Sequence, residues 1–246
     1  MLLETARLLA AIPGSVVPLE GVVDLANEPL MCAAGVSLIG GEQTVLSYDG
    51  TGQAVRIVDA SIPNAVEAVT LKNLRILAPN AARGIYGLWF RRCVLENVVV
   101  EGAEVGIHIH GGGDPTVGAW WNTFTRCRTL DCGTGFKFTG TFNQDGTRNG
   151  FANANTLFDC EVFGGDIGVR VGEGVDTIRM FGGHIQTVTT GAVTVRGPHF
   201  EAHGLRIENA GQYGYEIAAP HFKRFGGSIA RTPVEYVGPF PPEVWL

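Results

Sequence analysis

Three residues of unlike chemistry recur at one offset in a repeating pattern. His108, Lys137 and Arg170 are the middle members of Ile107-His108-Ile109, Phe136-Lys137-Phe138 and Val169-Arg170-Val171, each preceded by Gly. Side chains alternate across a strand, so three such strands send the apolar members to one face and the three basic residues to the other. Stacked strands lie about 4.8 Å apart, which sets two permanent cations and a titratable imidazole side by side. Like charges repel unless an anion lies between them. Glu161 and Asp166 are the candidate internal counter-charges, and an acidic glycan is the external one. Arg and Lys can also neutralise a uronate and, once a lysine pKa is lowered, abstract its proton. A solvated surface row is the plain alternative.

Two expanded segments adjoin this row, residues 110–121 and 139–151. The first carries Trp120 and Trp121; the second carries Phe142, Asn143, Asp145, Arg148 and Phe151. Flat aromatic faces beside amides and charged groups suit a sugar surface, so Trp120, Trp121, Asn143, Asp145 and Arg148 join His108, Lys137 and Arg170 as candidate ligand contacts. Loops that bury their own aromatics or pack on a sister subunit are the alternative. His108 and His110 share a strand face and with Asp114 resemble an incomplete metal set, but no third ligand is fixed. Neither a metal nor a cofactor is expected. Outward carboxylates on neighbouring strands are too scarce to pair as acid and base, and Asp166, Glu173 and Asp176 read as turn residues. Gly111-Gly112-Gly113 lacks the Lys-Ser/Thr of a phosphate loop. No catalytic residue is assigned.

What positions these residues is a repeat. Leu71, Leu95, Phe124, Leu157, Ile178, Phe200 and Phe222 open successive copies, the last ones 21 or 22 residues apart. Short alternating runs at that period, with frequent Gly, predict a stacked β-solenoid. Asn122-Thr123, Asn155-Thr156 and Asp176-Thr177 precede three anchors as candidate turn ladders. Cys127 and Cys160 each follow their anchor by three residues and so stack in adjacent coils, read as buried apolar thiols in a reducing compartment. Residues 2–11 form a short amphipathic helix suited to cap the open end. Pro233, Pro239, Pro241 and Pro242 are expected to rule out further coils. The apolar arm with Tyr236, Phe240 and Trp245 is expected to dock on its own tube or on a neighbour and to serve assembly.

Composition agrees: 35 Gly among 246 residues, 45% hydrophobic, and a net charge of −6 from 18 basic and 24 acidic residues. No Lys/Arg block marks a nucleic-acid partner, no apolar run is long enough for a membrane span, and Glu4 and Arg7 interrupt the N-terminal run that would otherwise suggest a signal peptide.

The run Gly35-Val36-Ser37-Leu38-Ile39-Gly40-Gly41-Glu42-Gln43-Thr44-Val45-Leu46, followed by Val69-Thr70-Leu71-Lys72-Asn73-Leu74-Arg75-Ile76, resembles the entry coils of right-handed parallel β-helix proteins of the pectate lyase-like superfamily. That group holds polysaccharide lyases, glycoside hydrolases, epimerases and bacteriophage tailspikes. The resemblance implies an all-β, right-handed, single-stranded parallel β-helix over residues 19–230, with a cap at 1–18 and an irregular Pro-rich arm at 231–246. The calcium-binding aspartates of pectate lyases and the paired aspartates of polygalacturonases have no counterpart here. The expectation is therefore a non-enzymatic structural or adhesive protein of a virus particle, of tail-spike or decoration type. It would be assembled in the host cytoplasm as a homotrimer, in contact with other virion proteins and a host polysaccharide. A polysaccharide lyase or glycoside hydrolase is the alternative.

Overall fold

In the computed structural model the described residues are 3–57, 66–112, 118–141, 151–219, 221–239 and, for backbone only, 243–245. Apart from one short helix they form strands, and every strand pairing is parallel. The coils stack into a broad sheet and a narrow one, with Val66–Glu67 and Phe90–Arg91 forming a separate two-stranded pair, and strands pair with their equivalents in neighbouring coils. A narrow-sheet series runs Arg83–Leu88, Val105–His110, Thr134–Thr139, Ile167–Val171, Gly191–Val195 and Tyr213–Ile217. The broad sheet bends within each coil, as in Val94–Glu101, where Asn97 breaks the alternation.

The bend is a column of left-handed residues. Asn73, Asn97, Arg126, Asp159, Gly182, Gly204 and Gly226 all have φ between 47° and 67°. Their backbone N–H groups reach the next coil: Arg126 donates to Phe158, Asp159 to Phe181, Gly182 to His203 and Gly204 to Phe225. A left-handed residue turns the strand without losing its ladder bond, so the tube closes on itself.

Inside lies one continuous apolar core. Ile107, Ile109, Phe136, Phe138, Val169 and Val171 are all fully buried, which is the inward set expected. Phe124 meets Phe136 and Phe138 edge-on at 6.4 and 6.0 Å between centroids, the geometry that aromatic quadrupoles favour. Cys127 and Cys160 are buried free thiols in stacked coils. They donate to the carbonyls of Leu95 and Phe124. Asn122 and Asn155 form a buried amide ladder: Asn122 Nδ2 donates to Asn155 Oδ1 at 2.7 Å, and Asn155 Nδ2 to the Ala119 carbonyl at 3.1 Å.

Two expectations are corrected by the register. The anchor row runs Leu71, Leu95, Phe124 and Leu157, but Leu157 then pairs with Met180, while Ile178 pairs with Asn155. Asp176 accordingly aligns with Asn153 and lies off the Asn122–Asn155 ladder. Inward positions recur every two residues, so a two-residue slip keeps apolar opposite apolar and is invisible to pattern matching. The prolines do not end the coils either. Val234–Val237 adds to Tyr213–Ile217, and Glu243–Trp245 adds to His221–Phe225. Pro233 and Pro239 fall outside these strands, where no ladder donor is required, and Pro241 and Pro242 lie outside the described residues.

At the other end the helix Leu3–Ala10 buries Ala6 and Ala10 and packs Leu3 and Leu9 on the core, as a cap does. Its Ala10 carbonyl accepts the Ala33 N–H. Tyr236 docks on its own tube, stacked on Tyr215 at 5.4 Å and donated to by Arg224 at 2.8 Å. Phe240 and the Trp245 side chain lie outside the described residues. Among the described residues no helix is long and apolar enough to cross a membrane.

Candidate functional site

The outer face of the narrow sheet carries the row read from the triplets. His108 pairs with Lys137, Lys137 with Arg170, and Arg170 with Thr194. On the other side the row continues through Tyr86 to Arg56. Arg83, three residues before Tyr86 on the same strand, adds a further cation.

His108 differs from expectation. It points outward, yet only 6% of it is exposed, because Arg83, Tyr86, His110 and Thr139 cover it. Arg83 Nε donates to Nδ1 at 2.9 Å, so the ring proton sits on Nε2 and goes to Thr139 Oγ1 at 2.8 Å. Thr139 then donates to His110 Nδ1 at 2.7 Å. Burial, then the charges of Arg83, Lys137 and His110, push the His108 pKa down to about 3. Burial and Arg83 also lower that of His110. The row therefore offers cations beside neutral imidazoles, and the titratable imidazole expected in it is held in a hydrogen-bond relay. With His108 Nδ1 and His110 Nδ1 both used as acceptors and a guanidinium beside them, the pair is ill suited to a metal ion; Asp114 lies outside the described residues.

Lys137 and Arg170 open onto a cavity of about 430 Å³ lined also by Thr139, Gly140, Gly172, Glu173 and Arg196. Among the described residues neither Lys137, Arg170 nor Arg196 has an ion-pair partner, whereas broad-sheet cations are paired, as in Lys72–Glu96 at 2.9 Å and Arg128–Glu161 at 2.8 Å. The expected counter-charges are engaged elsewhere. Glu161 holds Arg128 beyond the bend, and Asp166 accepts from Thr189 and Thr190. Burial, then Arg170 and Arg83, lowers the Lys137 pKa, with Glu104 acting the other way. Arg196 and Glu173 were missed in the sequence: Arg196 follows the last residue of its strand, outside the repeating triplet, and Glu173 reads as a turn residue.

The expanded segments leave and return in register, with His110 opposite Thr139 and Gly118 opposite Phe151. Asn143, Asp145 and Arg148 lie outside the described residues. Trp120 and Trp121 close the first segment: Trp120 ends the broad-sheet strand Gly118–Trp120, and Trp121 is the left-handed residue after it. Arg91 lies over the Trp120 ring at 4.2 Å, and Arg92 stands 5.5 Å from the Trp121 ring. Trp121 is half exposed. The Trp120 face is thus occupied by a guanidinium, and of the two indoles Trp121 retains the open surface.

No protein-family model matches the chain, and no curated protein matches its sequence. Solved structures do share the fold. ORF18 of Geobacillus virus E2 superposes with a TM-score of 0.64 at 13% identity, over 94% of this chain and 54% of that one. The enzymatically active domain of bacteriophage CBA120 tailspike protein 2 gives 0.55 at 10% identity, over 93% and 39%. The catalytic unit of a GH87 α-1,3-glucanase from Streptomyces thermodiastaticus gives 0.50 at 15%, over 98% and 59%. The chain thus spans about half the length of the first and less of the second. At these identities the likeness establishes a parallel β-helix, the fold of phage proteins and of carbohydrate-active enzymes alike.

Proposed function

We propose that this chain is an adhesive or structural β-helix of a virus particle, of tail-spike or decoration type, which holds an acidic host-surface glycan on the outer face of its narrow sheet. The observation that carries this reading is the cavity where Lys137, Arg170 and Arg196 converge with no ion-pair partner among the described residues. Keeping three cations together costs electrostatic energy that a bound carboxylate or sulfate would recover. Thr139 adds a hydroxyl whose orientation is set by His108 and His110, and Glu173 adds an acceptor for sugar hydroxyls. In this reading the protein works as a homotrimer among other virion proteins. The likeness to two phage proteins supports it at the level of architecture.

The test is calorimetric titration with acidic oligosaccharides and neutral ones of equal length. Saturable binding of the acidic set alone, weakening as salt rises, supports the proposal; equal binding of both sets, or none, defeats it.

The lowered pKa of Lys137 beside Arg170 favours a second reading, a polysaccharide lyase in which Lys137 takes a proton from a uronate that Arg170 neutralises. Ultraviolet-absorbing unsaturated sugars released from an acidic polysaccharide would establish it. The adhesive reading expects no such product and no new reducing ends.

A further inference from the structure

The opposite face of the molecule has a different chemistry. On the outer face of the broad sheet Phe158, Phe181, His203 and Phe225 occupy one row, paired strand to strand. Their rings stack face to face with centroids 5.3, 4.6 and 4.4 Å apart and planes within 19° of parallel. Because each ring covers its neighbour's face, the ladder shows mainly edges to solvent. A sugar needs an open ring face, so edges suit packing against apolar side chains instead.

Exposed apolar side chains lie on both arms of this sheet, on either side of the bend, although Val234 and Val237 are also exposed on the narrow sheet. Val16, Ile39, Leu77, Val94, Phe158 and Phe163 all belong to broad-sheet strands; Val16 is 62% and Phe163 47% exposed. The charges between them are compensated within the face: Lys72 and Arg126 share Glu96, Arg75 holds Glu101, Arg128 holds Glu161 and Arg179 holds Glu201. Beside the ladder the bend column ends in Gly204 and Gly226, where an added side chain would meet nothing within 4 Å, leaving a shallow trench. Asn73, Asn97, Arg126 and Asp159 hold the same backbone conformation in earlier coils, so φ alone does not demand glycine there.

We propose that the outer face of the broad sheet is the surface on which copies of this chain pack side by side. Charge complementarity selects this occupant. A face of locally paired charges and apolar side chains meets a copy of itself without repulsion, whereas two narrow-sheet faces would oppose cation to cation. Packing by the broad sheet also leaves the cationic cavity facing outward. Stacking alone would stabilise the tube of a lone chain, but it does not account for exposed Val16, Val94 and Phe163, which lie outside the ladder. The inference stands independently of the glycan reading.

Sedimentation of the full chain tests it. The wild type is expected at a multiple of 26.2 kDa at micromolar concentration. Phe163→Glu and Val94→Lys, each with a circular dichroism spectrum like the wild type, are expected to weaken association by about tenfold or more. Lys137→Glu, on the other face, is expected to leave the mass unchanged. The proposal is overturned by a monomeric wild type, by a folded Phe163→Glu and Val94→Lys pair that keep the wild-type mass, or by loss of the multimer in Lys137→Glu alone.

Discussion

A buried imidazole held between a guanidinium and a threonine hydroxyl titrates far below a free one, and His108 is in that position. Its pKa is about 3 in the fold against an ordinary value of 6.5. The unfolded chain therefore binds the extra proton first as pH falls, so this group's contribution is fully present above about pH 6.5 and is lost progressively toward pH 3. Relative to neutral pH, the loss at pH 5 from this one group is about 2 kcal/mol. Urea unfolding of wild type and His108→Gln at pH 7.5 and pH 5 should show the wild type losing more by about that amount, whereas equal losses would show that His108 is not held neutral. The triplets made the outward direction of His108 legible, because alternation is a property of the strand. Its burial was not legible, since Arg83 and Thr139 reach it from coils about 25 and 31 positions away.

Between residue and molecule the unit is the coil, and its corners carry the ladders that hold one coil on the next. Asn155 accepts from Asn122 and donates to the Ala119 carbonyl within the core. Asn155→Ala removes these buried hydrogen bonds, leaving Asn122 Nδ2 only its bond to the Phe90 carbonyl, and should cost about 3 kcal/mol by chemical denaturation. Left-handed corners differ in what they tolerate. Gly204→Asn repeats what Asn73 and Asn97 already do in the same column, and its stability should stay within about 0.5 kcal/mol of wild type. Gly165→Ala places a Cβ 1.7 Å from the Cys132 carbonyl oxygen at φ of +86°, and should lower stability by more than about 3 kcal/mol. Coil length, the Asn122–Asn155 pair and the Cys127–Cys160 stack were legible because they recur locally. The slip at Ile178 was not, since Met180 and Ile178 both face inward and only the strand pairing distinguishes them.

Across the whole molecule the two sheets divide the surface by charge. A net charge of −6 would suggest a chain indifferent to anions, yet cations without ion-pair partners among the described residues collect on one outer face while the other face pairs its own. Composition averages over both faces and hides this segregation; only the register, which brings Lys137 to Arg170 and the cavity to Arg196, displays it. The most direct test of the account is titration of an acidic oligosaccharide into wild type and into the Lys137→Ala/Arg170→Ala double variant. Charge-assisted contacts contribute about 1.5–3 kcal/mol each, so the double variant should bind at least about tenfold more weakly at unchanged stability. Equal affinity in the two proteins would contradict the assignment of the narrow-sheet row as the glycan surface.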